Sequence, residues 1–453
     1  MTGSRTSRKP PGKYFLVVSN ECHATRLSEF KLQAMKSIRN FVVMLAWVTV
    51  AVQWMPAQSQ AQSKAPGQSW VGSWAASQQL PEPQNSLPPE DLNDATLRQI
   101  VHLSIGGSTL RVHLSNAFGF LPLHLTSVHI AKPLSSAAAS IDPVTDKALT
   151  FSGREDVIIP AGAEYISDPV SYPAPALSDL AVSMHFDLPP AEQSGHPGSR
   201  ATSYLVHGDA VSAVDLAGAR KFDHWYQLAA IDVAASSDAA AIVVLGDSIT
   251  DGHGATTNGN DRWTDVLAQR LQGNASTRNI GVLNQGIGGN HLLSDGVGPN
   301  VLARFDRDVL AQTGVRWVIV LEGVNDIGGF TRLSDPPGPD HDAFVRRILA
   351  SYEQIIARAH AAHIQVIGAT IMPYTDSGYY HPPASNEADR QAINAWIRAA
   401  GHFDAVVDFD KVMADTKRPD HLNPLYDSGD HLHPSAVGYR VMSEAVPLSL
   451  FAH

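Results

Sequence analysis

The stretch that most constrains this chain is AIVVLGDSITDG at residues 241–252. Ile242 to Leu245 form an apolar, mostly β-branched run, the pattern of a buried strand. Gly246, Asp247 and Ser248 then break it, so Ser248 stands where a central strand ends and a helix begins. Open α/β sheets place their chemistry at that edge. A hydroxyl on such a turn is held rigid and exposed, and backbone N–H groups lie close by. Taken alone, Asp247 or Ser248 also reads as an ordinary helix cap.

The C-terminal region bears on that choice. It runs Asp430-His431-Leu432-His433-Pro434, then Gly438-Tyr439. A nucleophilic serine needs a base to take its proton and a carboxylate to fix the tautomer of that base. Asp430, three residues before His433, can turn its carboxylate back onto the imidazole within one loop. Pro434 stops the loop and suits the first turn of a following helix. Asp430, His431 and His433 also resemble a metal-ligand cluster. A His-x-His pair normally needs a third, distant ligand, and no HExxH or CxxC element is present. No metal or cofactor is therefore expected.

Four separated segments carry a family resemblance. With GDSIT at 246–250, NQGIGGN at 284–290, GVND at 323–326 and Asp430-x-x-His433, the chain resembles the SGNH, or GDSL, hydrolases. The resemblance implies Ser248 as nucleophile, with His433 as base and Asp430 as acid. It implies an oxyanion hole built from the Ser248 N–H, the Gly289 N–H and the Asn325 side-chain amide. Gly288 is the other choice in the second block. Each block is short, and their ordered occurrence is more specific than any one of them. RWTDVLAQRL, NQGIGGNHLL, RFDRDVLAQTGVRWVIVLEGVNDIG and YDSGDHLHPSAVGY are further similar to a secreted subgroup related to XynE-type acetylxylan esterases. That subgroup carries a β-rich segment before the hydrolase domain.

The remaining pattern agrees with such a division. Residues 70–233 read as short strands and turns without long helical periodicity. Residues 97–114 hold two alternating runs separated by Gly106-Gly107, which reads as a hairpin with a tight turn. The expectation is a β-sandwich of jelly-roll type. Trp70, Trp74 and Trp225 are expected in packing rather than as sugar platforms. From residue 234 to 453 strands and helices alternate: helices at 262–272, 344–360 and 388–399, strands at 317–321, 366–371 and 405–409. This predicts an α/β, flavodoxin-like, doubly wound parallel sheet. Ser248, Gly289 and Asn325 all follow strands and should gather at one edge. Asp247 and Asp326 are expected to brace loops. Asp251, His253, Asn258 and His291 are rim candidates or solvated side chains.

At 44% hydrophobic and 17% charged, the 453 residues can bury substantial cores. Residues 1–61 read as an upstream extension plus an export signal. A basic segment at Lys36 and Arg39 precedes an apolar stretch from Phe41 to Val52, and Ser59-Gln60-Ala61 offers a cleavage site. Met35 is the expected start. An N-terminal anchor helix is the alternative, though the apolar stretch is short for a span. The only cysteine, Cys22, would be lost on cleavage. An exported enzyme without disulfides suits a bacterial periplasm or medium. The net charge is −11, and the first 61 residues hold eight basic side chains against two glutamates. An acidic body argues against nucleic acid or an anionic membrane as partner.

The expected function is an exported serine esterase removing short acyl groups, acetyl foremost, from plant polysaccharide or small esters. No stable membrane insertion is expected after cleavage, and no substrate-binding residue or oligomeric state is assigned. Two alternatives remain at this level: a lipase or phospholipase with the same triad, and a carbohydrate-binding protein with a vestigial hydrolase domain.

Overall fold

The computed structural model describes residues 67–452. The export signal, its cleavage site, Met35 and Cys22 lie outside the described residues. Among the described residues, no helix is long and apolar enough to cross a membrane.

The N-terminal part is β-rich, with two large antiparallel sheets and two small two-stranded ones. In one, Gln68–Ala75, Leu228–Ser236, Gly107–Ser115 and Glu164–Ile166 lie in that order, with Val170–Ala174 also pairing to Gly107–Ser115. The other is six-stranded, with Ala95–His102 and Asp179–Phe186 at its centre. Ala95–His102 is buried along nearly its whole length. One reason is Arg98, whose guanidinium reaches Ser183 Oγ and the carbonyls of Ala139, Val211 and Ala213, so loops fold over that face.

The predicted hairpin at 97–114 is not formed. Ala95–His102 and Gly107–Ser115 lie in different sheets. Gly106 and Gly107 do not adopt the positive φ that a tight two-residue hairpin turn demands. They are small because backbone presses on them. A Cβ on Gly106 would fall 2.6 Å from Ala176 N, and one on Gly107 would fall 2.8 Å from Ala234 O. The pair marks a crossing between sheets, and the same residues serve close approach rather than a turn.

The C-terminal part is a five-stranded parallel sheet. Its order is Ile280–Gly286, Ala240–Gly246, Val315–Leu321, Gln365–Ala369, Ala405–Val407. In chain order this is 2-1-3-4-5, the flavodoxin-like doubly wound arrangement. Ile242 to Leu245 are fully buried, as their apolar run requires. Two helix pairs pack beside the sheet, Trp263–Gln272 with Ala436–Ala445 and Gly338–Ala361 with Ala384–Arg398.

The two parts share one hydrophobic cluster. Ile280–Gly286 is an edge strand of the parallel sheet, and the β-rich part covers it. A Cβ on Gly281 would come within 2.3 Å of Gly72 O, and Ser104 Oγ accepts the Val282 N–H at 2.9 Å. An otherwise open strand edge is thereby closed.

Candidate active site

The end of Ala240–Gly246 sets the position of Ser248. Asp247 is the N-cap of the short helix Ser248–Asp251, its carboxylate accepting the Ile249 N–H at 2.9 Å. Capping therefore falls to Asp247, and the Ser248 hydroxyl is free for another partner. Gly246 allows the turn to close, since a Cβ there would lie 2.2 Å from Thr250 Oγ1.

That partner is His433. Ser248 Oγ and His433 Nε2 are 2.8 Å apart, and His433 Nδ1 and Asp430 Oδ2 are 2.6 Å apart. A carboxylate only accepts, so Nδ1 carries the hydrogen and Nε2 accepts from Ser248. The acid is held by its own loop, because Asp430 Oδ1 also accepts the backbone N–H groups of Leu432 and His433. Burial works against ionisation of Asp430, but the His433 side-chain and backbone hydrogen bonds win and hold its carboxyl well below the ordinary range. Ser248, His433 and Asp430 thus form one continuous hydrogen-bonded line, its widest step 185 residues in sequence.

Gly289 and Asn325 face the same cavity as Ser248. Gly289 adopts a φ of 71°, a conformation that favours glycine. Gly288 also lines the cavity without this requirement. Ser248 is the first residue of its helix, so its N–H has no partner within that helix. Asn325 is buried on the helix Val324–Thr331. Its Nδ2 donates to Asn290 O at 2.8 Å, and its Oδ1 accepts from the Tyr380 hydroxyl at 2.6 Å. These two bonds fix which way the amide points and leave its second Nδ2 hydrogen for the cavity.

Sequence reading missed Tyr380 and Arg304. Arg304 is buried beneath the site. Its guanidinium donates to Gly246 O at 3.0 Å, Gln285 O at 2.6 Å and Asn290 Oδ1 at 3.0 Å, and pairs with Asp308 at 2.9 Å. One side chain therefore ties together the ends of two strands and the loop carrying Gly289. Ser77 of the β-rich part bonds the same Asp308. No local pattern announces such a role, because all its partners except Asp308 come from elsewhere in the chain.

The rim candidates separate cleanly. Asp326 accepts the Leu292 and Leu293 N–H groups, and Asn258 is bonded to Thr202, so both brace loops. Asp251 is buried and bonded to His196 Nε2 at 2.9 Å, while still lining the cavity. His291 does not line it. His431 turns away to Asp427 Oδ2 at 2.6 Å. His253 lines the cavity, its ring tilted against His433 with centroids 4.0 Å apart. Burial, with the neighbouring His433 and Arg200 charges, pushes the His253 imidazole down to about 4. His253, Asp430 and His433 offer ligand atoms within 4.8 Å of one another, a different set from the Asp430, His431 and His433 group of the sequence. Two of these atoms belong to the hydrogen-bonded line just described.

The cavity over Ser248 is open and has a volume of about 650 Å³. A serine, an imidazole held by a carboxylate and converging N–H donors are what acyl transfer requires.

Residues 244–441 match the GDSL-like Lipase/Acylhydrolase family. No curated protein matches the chain. Among solved structures, a G-D-S-L family protein from Desulfitobacterium hafniense DCB-2 is 26% identical, over 45% of this chain and 96% of its own, with a TM-score of 0.34. A GDSL-like lipase from Bacteroides thetaiotaomicron VPI-5482 is 21% identical, over 47% and 87%, with a TM-score of 0.34. A catalytic mutant of an acetylxylan esterase from Geobacillus stearothermophilus is 19% identical, over 46% and 91%, with a TM-score of 0.33. Residues 244–441 are thus similar to the GDSL-like lipase/acylhydrolase family, and the protein is an ester hydrolase.

Proposed function

We propose that this protein is an exported serine esterase that removes short acyl groups, acetyl foremost, from carbohydrate esters of the kind found in plant polysaccharide. The observation that carries the mechanism is the unbroken line from Ser248 Oγ through His433 to Asp430, opening into the cavity that Gly289 and Asn325 also face.

In this reading Ser248 Oγ attacks the ester carbonyl carbon while His433 Nε2 takes its proton. Asp430 stabilises the imidazolium that forms. Negative charge develops on the carbonyl oxygen, where the Ser248 and Gly289 N–H groups and the Asn325 amide meet it. The tetrahedral intermediate collapses as His433 passes its proton to the leaving alcohol. An acyl-serine ester remains. Water then attacks it with His433 again as base, releasing the carboxylic acid and restoring the Ser248 hydroxyl.

Short acyl groups are favoured by what surrounds the cavity. Charged side chains, Glu82, Arg200, Asp376 and Asp430, stand among its walls. A long acyl chain needs an apolar trough, since each buried CH₂ contributes about 0.8 kcal/mol. The segment at 332–342, the longest polar stretch between the third and last blocks, lacks an apolar face that would open onto lipid. In the same reading, the β-rich part is a jelly-roll-like accessory sandwich over residues 70–233, the hydrolase spans 234–453, and the XynE-type esterases are the relevant subgroup. A leader ending near Ala61 would deliver the enzyme to the periplasm or medium.

The test is a series of p-nitrophenyl esters of increasing chain length, with acetylated xylan alongside. The expected kcat/KM is highest for two- to four-carbon acyl groups and falls steeply beyond them. Faster hydrolysis of esters of about ten carbons, or activation at a lipid interface, would favour the lipase reading instead.

A further inference from the structure

Two donor atoms of side chains on the cavity wall have no partner among the described residues, and both come from the β-rich part. Gln79 is 2% exposed and lines the cavity, yet its Nε2 meets no acceptor. Arg200 lines the same cavity, and its Nε is buried and unpaired. Buried polar groups are almost always satisfied, and each one left unpaired carries a cost. Both unpaired atoms belong to side chains that line one cavity, and an acceptor from outside the chain would satisfy them once those side chains turn to it.

Neither is loosely held. Gln79 exchanges backbone hydrogen bonds with Gly195, at 2.8 and 2.9 Å. The chain beyond Gly195 is pinned to the hydrolase part at several points. His196 bonds Asp251, Ser199 O accepts from Arg262, Arg200 O accepts the Asn258 N–H, and Thr202 N–H donates to Asn258 Oδ1. The backbone that carries the donors is therefore fixed before any ligand arrives, which lowers the ordering cost of binding.

Their placement relates them to the reaction. Arg200 Nη2 donates to His253 Nδ1 at 3.1 Å, and His253 packs against His433. Arg200 thus stands on the side of the base, where the leaving alcohol receives its proton. Gln79 lies by Gly298, whose added Cβ would come 3.2 Å from Gln79 Cβ. Val297, next in the chain, packs over Gly289. The two donors bracket the wall from the base to the oxyanion loop. Glu82, Asp376 and Asp430 on the same cavity disfavour an anionic ligand.

We propose that Gln79 and Arg200 form a recognition subsite for the alcohol half of the substrate, and that this alcohol is a neutral sugar bearing several hydroxyl or ring oxygens. Gln79 bonds one oxygen through its side-chain amide, and Arg200 donates to another through Nε. The β-rich part then contributes directly to substrate choice. This rests on the carbohydrate-ester reading above and adds which residues read the sugar.

The test compares two esters on the full chain: p-nitrophenyl acetate, whose leaving group has no sugar oxygens, and an acetylated methyl xyloside. The readout is the ratio of kcat/KM for the xyloside to kcat/KM for the phenyl ester. Gln79→Leu and Arg200→Met are each expected to lower that ratio by about three- to tenfold, the range for loss of one hydrogen bond, mainly through KM. Arg200, less deeply buried, supplies the reading if Gln79→Leu folds poorly. An unchanged ratio in a folded variant, including equal losses on both esters, overturns the subsite. Wild-type turnover of the phenyl ester without the xyloside overturns the subsite and the sugar assignment together. No turnover of either ester by the folded wild type overturns the esterase mechanism itself.

Discussion

Tyr380 donates its hydroxyl hydrogen to Asn325 Oδ1 at 2.6 Å, and Asn325 Nδ2 donates to Asn290 O at 2.8 Å. The two bonds orient an amide 55 residues from Tyr380 in sequence, its oxygen taken by Tyr380 and one Nδ2 hydrogen left over, on a side chain that lines the cavity. Asn325→Ala removes the donor and leaves Ser248, His433 and Asp430 in place. Its kcat should fall about 10²- to 10³-fold with little change in KM. Tyr380→Phe keeps the donor but loosens its direction, so a smaller fall of about tenfold is expected. Steady-state kinetics on p-nitrophenyl acetate checks both, and an unchanged kcat in Asn325→Ala would leave that residue a structural one.

Arg304 is the buried cation beneath the site. Besides Asp308, it faces Glu322 at 3.6 Å, and both side chains are fully buried. Arg304→Met would remove the cation beside Glu322, leave Asp308 to the Arg307 cation alone and free the Gly246, Gln285 and Asn290 acceptors. Loss of one partner from a buried ionic network typically costs about 3–5 kcal/mol. Denaturant unfolding should report a loss of that order, together with a lower kcat because the Gly289 loop is no longer tied. A loss below about 1 kcal/mol would show that the network carries little stability.

Glu322 also makes stability depend on pH. Its buried carboxyl oxygens are poorly served by donors, the Gly323 N–H and the Arg304 guanidinium being the groups that favour the charged form. Burial first, then the negative charge of Asp247, raises its pKa well above 4.5 against the pull of Arg304. Asp247, buried beside the same groups, is pushed up to about 7. The folded state therefore holds these protons to higher pH than the unfolded chain. Their contribution is fully present below the ordinary carboxylate range and is lost as pH rises through the raised values. Glu322→Gln cannot ionise and escapes its share of that loss. Melting temperatures measured from about pH 5 to about pH 9 should show wild type falling relative to the variant as pH rises. Parallel curves would contradict the assignment.

The histidine at the rim acts with the opposite sign. His253 is held down to about 4, so the unfolded chain takes up its proton first as pH falls. Wild type should lose stability between about 6.5 and 4 on this account, and His253→Gln should lose less. Thermal melts across that window are the check, and an identical acid slope in the variant would exclude His253 as a contributor.

Activity should not depend on a metal. His253, Asp430 and His433 lie close enough to share an ion, but such an ion would compete with the Ser248–His433 and His433–Asp430 hydrogen bonds. Ester hydrolysis should therefore be the same before and after EDTA treatment. Loss in EDTA restored by a divalent ion would contradict the serine mechanism as drawn.

Legibility followed the range of the interactions. Asp430 and His433 could be read together because three residues separate them on one loop. The strand before Ser248 could be read because Ile242 to Leu245 are buried on both faces and need no polar alternation. The alternation from residue 234 onward anticipated the parallel sheet, since each helix and strand imposes its own period. Tyr380 and Arg304 escaped because their partners come from segments with no fixed spacing to them. Gln79 and Arg200 escaped for the same reason, and also because an unpaired donor is defined only by what surrounds it. The hairpin at 97–114 was misread because Gly-Gly between alternating runs marks a turn or a close backbone approach equally well. Only the packing of Ala174 to Ala176 against Gly106 tells which.

The central claim is that Ser248 is the nucleophile, activated by His433 and Asp430. It is tested most directly by reacting the folded protein with a fluorophosphonate and locating the adduct by mass spectrometry. One adduct per chain is expected on the peptide carrying Ser248. Ser248→Ala should be folded, unlabelled and inactive on p-nitrophenyl acetate. Labelling at another residue, or substantial turnover by folded Ser248→Ala, would contradict the account.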